Sequence, residues 1–155
     1  MHSRIFQVSS KPIEDFITEE RYYDGFVGEH ADYVATVESE TDLIEDLKWL
    51  GNREGLSVDL DKKTVTITSK RDYFDEKFDE FKDLLEELKN MTTDEFIEGK
   101  FDLKMYDLNG AYENEHGFYI DDSDEYMGLS NIDYWVRNAE ENKPYYIGSV
   151  FDYHF

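Results

Sequence analysis

The chain has 155 residues, close to the common size of one domain, and carries 38 Asp and Glu against 16 Lys and Arg, a formal net charge of −22. A field of that sign opposes binding to nucleic acid or to an anionic membrane and favours a basic partner, while the absence of cysteine excludes disulfides, thiolate nucleophiles and zinc–thiolate centres. Disorder is excluded too, because 12 Tyr, 11 Phe and 2 Trp supply large areas for burial.

Residues 3–9, SRIFQVS, read as a short opening strand. Residues 12–38 are ambiguous, with a helical turn expected near Pro12–Phe16 and a glycine-punctuated loop at Asp24–Gly28. Over 41–50 the spacing of Leu43, Ile44, Leu47 and Leu50 predicts a helix, with Ser39 or Thr41 as its cap and Gly51 as its stop. Residues 55–69 form a hairpin in which Leu56, Val58 and Leu60, then Val65 and Ile67, alternate with polar residues around a turn at Asp61–Lys63. One wet face per strand implies an antiparallel sheet with helices on one side only.

Residues 71–90, RDYFDEKFDEFKDLLEELKN, form the most unusual element. Phe74, Phe78, Phe81, Leu85 and Leu88 recur at helical spacing, and Asp72, Asp75, Glu76, Asp79, Glu80, Asp83, Glu86 and Glu87 fill most of the rest. Five pairs set like charge at i,i+4, at a cost of about 1–2.5 kcal/mol before screening. Lys77, Lys82 and Lys89 offer i,i+3 relief to Glu80, Asp79 and Glu86, but no Glu precedes a Lys by four residues. This helix is not arranged for its own stability.

Thr92 with Glu95 is a capping box opening a short helix that ends at Gly99. Residues 101–112 fit helix or strand equally, residues 117–120 suggest a strand, and 121–128, DDSDEYMG, a loop. Residues 131–141 are expected to be a helix with Ser130 as cap and Ile132, Trp135, Val136 and Ala139 inward. The closing stretch reads as a long strand with Tyr145, Ile147, Phe151, Tyr153 and Phe155 on one face. The whole predicts one α+β domain over residues 1–155, with an antiparallel sheet of four to five strands and several helices packed mainly on one face.

The sequence offers little for catalysis, and the protein is expected to be no enzyme. Its four histidines are scattered at positions 2, 30, 116 and 154, and no glycine-rich phosphate loop or nucleophile elbow is present. Glu113-x-x-His116 is one half of a di-iron motif without the other half. Starting from Asp122, an EF-hand would need Gly and Glu where Met127 and Asp133 stand, so no metal and no cofactor is expected.

The acids point elsewhere. Asp72, Glu76, Asp79, Glu80, Asp83 and Glu87 form a column about 22 Å long at roughly 1.5 Å per residue. One strand of B-DNA shows about six or seven phosphates over that length. Asp75 flanks the column, and Asp121, Asp122, Asp124 and Glu125 would extend it if they faced the same way. In composition and size the chain is similar to acidic antirestriction and other DNA-mimic proteins of phages and mobile elements, a likeness of class and not of motif. The expected function is occupancy of the basic groove of a DNA-binding protein or nuclease, in the cytoplasm. An immunity protein that neutralises a nuclease toxin and a solvated structural domain without a basic partner are the alternatives.

Overall fold

A computed structural model describes residues 1–112, 116–124 and 128–155. Strand β1 (His2–Ser9) is followed by a 3-10 turn (Glu19–Tyr22), a one-turn helix α1 (Phe26–Glu29) and the short strands β2 (His30–Ala31) and β3 (Tyr33–Thr36). Then come α2 (Glu40–Gly51), the hairpin β4 (Leu56–Asp59) and β5 (Thr64–Ile67), and three helices: α3 (Lys70–Lys89), α4 (Thr93–Ile97) and α5 (Phe101–Tyr112). The chain ends with β6 (Tyr119–Asp122), β7 (Gly128–Asn131), α6 (Ile132–Asn138) and the long β8 (Pro144–His154).

The fold is α+β, as the alternation of strand and helix patterns implies, but its sheet is larger than expected and mixed. Seven strands pair in the order β4-β5-β8-β1-β6-β7, with β3 also on β8. The pairing of β1 with β6 is parallel; the other registers are antiparallel. Strand β8 is long enough to hold β5 along residues 144–146 and β3 along 151–154. The helical turn expected at Pro12–Phe16 is absent, and β3 and β7 are strands where the sequence shows no clear alternation.

Both faces of the sheet are covered. On one, Phe6, Val8, Val65, Ile67, Ile120 and Tyr145 pack with Leu47 and Leu50 of α2 and with Trp135 and Val136 of α6. On the other, Ile5, Phe151 and Tyr153 meet Tyr22, Phe26 and Ala31 from the irregular segment after β1. That segment, not a helix layer, seals the second face. Helix α6 is capped by Asn131, whose side chain accepts from the Asp133 amide, and not by the neighbouring Ser130.

A β-bulge changes which residues of β8 share a face. Phe6 is opposite Val150 and Val8 opposite Ile147, so Gly148 and Ser149 together oppose Gln7. Tyr145, Ile147 and Val150 therefore face α2 and α6, while Phe151 and Tyr153 face the other core, and the single aromatic face expected for this strand is divided. Buried Gln7 pins the bulge. Its Oε1 accepts from the amides of Ser149 (3.1 Å) and Ile17 (3.2 Å), and its Nε2 donates to the carbonyl of Asp15 (2.9 Å). A Cβ at 148 would lie 2.4 Å from Gln7 Oε1, so any larger residue there would displace the side chain that pins the bulge.

Among the described residues no helix is long and apolar enough to cross a membrane.

Candidate partner-binding face

Helix α3 is one unbroken helix, as its stripe predicts. Ser69 caps it by accepting from the Asp72 amide at 3.1 Å. Only its first turns reach the core. Tyr73 is buried and Phe74 packs beside it, with the Arg137 guanidinium 4.9 Å over the Phe74 ring. The root is fastened to buried Asp133 of α6, which accepts from the Tyr73 hydroxyl at 2.7 Å and from the Lys77 ammonium. Lys77 therefore does not relieve Glu80; tertiary structure takes it for a carboxylate that burial would otherwise leave uncompensated.

Beyond Lys77 the helix leaves the sheet. Helix α5 returns antiparallel along it: Lys104 pairs with Glu87 near the far end, and Ala111 and Tyr112 lie beside Phe78 and Phe81 near the root. Between them, α4 carries the expected capping box, with Thr92 and Glu95 each bonded to the other's backbone amide. No residue of α4 or α5 is buried. These helices form an arm, and among the described residues eight of the fourteen large apolar side chains that stand exposed lie on it, so its surface is not simply polar.

The acid column occupies the side of α3 away from its apolar stripe, and Asp72, Asp75, Glu76, Asp79, Glu80, Asp83 and Glu87 are all exposed. Part of it is neutralised from within. Lys82 holds Asp79 at 2.8 Å, Lys89 holds Glu86 at 3.5 Å, and Lys104 holds Glu87. The hydrogen bond to Asp79 raises the pKa of Lys82, and that to Glu87 raises the pKa of Lys104. Among the described residues Asp72, Asp75, Glu76, Glu80 and Asp83 have no salt-bridge partner. These five carboxylates span about 16 Å of helix, over which one DNA strand shows about five phosphates.

The second acidic group is not part of this face. Asp121 and Asp122 belong to β6, an interior strand, and are 1% and 5% exposed, so they are not loop residues awaiting a partner. Asp121 accepts from the Tyr22 hydroxyl at 2.9 Å and from Arg21 Nη2 at 3.3 Å, and Arg21 Nε lies 2.9 Å from it as an ion pair. Burial, then the charge of Asp121, pushes the Tyr22 hydroxyl well above its ordinary pKa. Asp122 accepts from Trp135 Nε1 at 3.2 Å and from the Asp124 amide at 2.8 Å, and burial raises its pKa. Asp124 is half-buried and accepts from the Ser9 hydroxyl at 3.0 Å and the Ser10 amide. Burial works against its charge, but the hydrogen bonds from Ser10 and Ser9 outweigh that and lower its pKa. Glu125 lies outside the described residues, as does Glu113 of the Glu-x-x-His pair.

The histidines sit apart from this face. His2 Nδ1 lies 2.9 Å from Asp152 and His154 Nδ1 3.2 Å from Asp32 at the joined chain ends, while His116 stacks on Phe155 at 4.1 Å. Among the described residues no group of three His, Asp or Glu is placed to hold a metal ion. An open cleft of about 790 Å³ beside Ser9, Lys11 and Asp124 has no histidine in its lining.

No family model, no curated protein and no solved structure matches this chain. The functional reading therefore rests on the geometry of the arm.

Proposed function

We propose that the protein is a non-enzymatic acidic binding protein that occupies the DNA-binding groove of a basic partner, such as a nuclease, by presenting carboxylates in place of phosphates. One observation carries this reading: Asp72, Asp75, Glu76, Glu80 and Asp83 line one open side of a rigidly rooted helix, and among the described residues none of them has a salt-bridge partner. Their mutual repulsion costs the free protein stability, and a cationic groove relieves it. Such an interface gains rate and specificity from its field and weakens with salt. Asp121 and Asp122, inside the sheet, add nothing to the acidic face of α3.

The test uses the whole chain and its Glu76→Lys/Asp79→Lys/Asp83→Lys variant, each immobilised and exposed to bacterial lysate at about 50 mM and about 500 mM salt. DNA-binding proteins should be retained at the lower salt, released at the higher, and displaced by duplex DNA. The variant should lose them while its stability is unchanged or higher by up to about 1 kcal/mol. Retention indifferent to duplex DNA, or equal retention by the variant, overturns the proposal.

A further inference from the structure

The start of β1 and the end of β8 bring together side chains that the acid face does not use. His2 of β1 stands directly opposite His154 of β8, and Tyr33 of β3 stands opposite His154 on its other side. Residues directly opposed across strands point to the same face of a sheet, so the three rings form one row. The Tyr33 ring stacks on His154 at 5.8 Å with 4° between the planes, and the two imidazoles meet edge to face with ring centres 5.0 Å apart. Each imidazole is held from behind by a carboxylate. His2 Nδ1 lies 2.9 Å from Asp152, which is fixed in turn by Arg4. His154 Nδ1 lies 3.2 Å from Asp32, whose amide donates to the His154 carbonyl at 2.7 Å. A carboxylate accepts, so in the neutral ring Nδ1 carries the proton and Nε2 the lone pair. His154 shows this directly, because its Nε2 lies 2.9 Å from the Met1 nitrogen, a donor. Metal-ligating histidines are oriented in the same way, with one N–H on a carboxylate and the other nitrogen left for the cation.

We propose that His2 and His154 together bind a borderline divalent transition cation, of which zinc is the probe, through their Nε2 atoms. The spacing fits. With Zn–N at about 2.0–2.1 Å, each ring centre stands about 3.2 Å from the metal, and two rings at a tetrahedral angle stand about 5.2 Å apart. The observed 5.0 Å leaves only side-chain rotation to close the site. The cation displaces Met1 from the His154 lone pair, water fills the remaining positions, and Asp152 and Asp32 act behind the rings and not on the metal. Both imidazoles are open to solvent, at 55% and 36% exposure. The field of a −22 chain draws every cation to its surface. Hard cations such as Mg²⁺ take carboxylate and water oxygens, whereas imidazole selects zinc, copper and nickel. With two protein ligands against the four of a structural zinc centre, the Kd is on the order of 10 µM. Bound zinc ties the start of β1 to the end of β8 and stabilises the fold by mass action.

Calorimetric titration of the whole chain with ZnCl₂, in about 10 mM MgCl₂ to occupy the carboxylates, tests this. One zinc should bind per chain with that affinity, and about 100 µM zinc should raise the melting temperature by roughly 3–6 °C. His2→Gln and His154→Gln should each weaken binding by roughly tenfold or more. Asp32→Asn keeps both imidazoles, removes only a positioning carboxylate, and should weaken binding about tenfold. The Glu76→Lys/Asp79→Lys/Asp83→Lys variant, by contrast, should bind zinc as the unaltered chain does, so this proposal and groove occupancy fail separately. Imidazole nitrogen shifts of the unaltered chain need no variant to fold. Zinc should move the Nε2 signals of His2 and His154 and leave those of His30 and His116 in place. No binding above the Mg²⁺ background, equal binding by the His variants, or shifts confined to other residues overturns the proposal.

Discussion

The sheet and the arm use the same residue type in opposite ways. Around the sheet, Asp121 and Asp122 of β6, Asp133 of α6 and Asp46 of α2 are buried, and each has named partners: Tyr22 and Arg21, Trp135, Tyr73 and Lys77, and an ion pair with Arg4 at 2.8 Å. In the arm, Glu76, Glu80 and Asp83 face water. A buried carboxylate must find its partners within the fold, because leaving it unpaired costs several kcal/mol. An exposed one is solvated at little cost and keeps its field for another molecule. Net charge alone, therefore, says little about which acids can bind; burial sorts them.

The two regions should differ most in their response to truncation. Trp135→Ala, at a fully buried site, should cost about 3–5 kcal/mol. Leu88→Ala, at a half-buried arm site, should cost about 1 kcal/mol and act mainly on the arm. Thermal melts of both variants, with hydrogen exchange to localise the opening, check this. Equal costs would mean that arm and sheet unfold as one unit.

Next in size is the joint between them. Asp133→Ala leaves the buried Tyr73 hydroxyl without its acceptor and Lys77 without its carboxylate, at an expected cost of about 2–4 kcal/mol. Exchange in the first turns of α3 should rise with it. If α3 amides stay as protected as before, Asp133 is not what roots the arm.

A smaller effect separates the regions by pH. Burial raises the pKa of Asp46 and of Asp122 above the ordinary Asp value of 3.8. Between that value and the raised folded values the native state holds protons the unfolded chain has released, so stability falls as pH rises through this window. The Asp46→Asn/Asp122→Asn variant should show a flatter dependence there in urea titrations. The capping Glu95 has the opposite sign: hydrogen bonds from the Thr92 amide and hydroxyl lower its pKa, so its contribution is lost as pH falls through the folded value.

The smallest effect is expected on the arm surface. Lys104→Met removes the ion pair with Glu87, should leave the global melting temperature nearly unchanged because a surface pair contributes little, and adds one unpaired carboxylate to the acid face. Lysate retention at low salt should rise with it; a fall would mean that Lys104 and not Glu87 meets the partner.

Local pattern determined the elements whose residues repeat with one period. The acidic stripe from Asp72 to Glu87, the Thr92–Glu95 capping box and the Leu56–Ile67 hairpin are set by spacings of a few residues, and they form as those spacings imply. Where apolar residues ring the segment, as in Phe101–Tyr112, no single period stands out, and only packing on α3 decides for helix. The bulge at Gly148–Ser149 depends on Gln7, which is 141 residues away from Gly148 in the chain, and so divides the β8 aromatics between two cores in a way no local alternation reveals. Likewise, DDSDE reads locally as a solvated loop; a parallel pairing with β1 and the donors of Tyr22, Arg21 and Trp135 draw Asp121 and Asp122 inside. The sequence by itself determined that the protein is acidic and that one helix bears a column of carboxylates. Only the tertiary structure decided which carboxylates stay exposed and which are buried with donors, because solvation, unlike helix periodicity, depends on what the rest of the chain brings alongside.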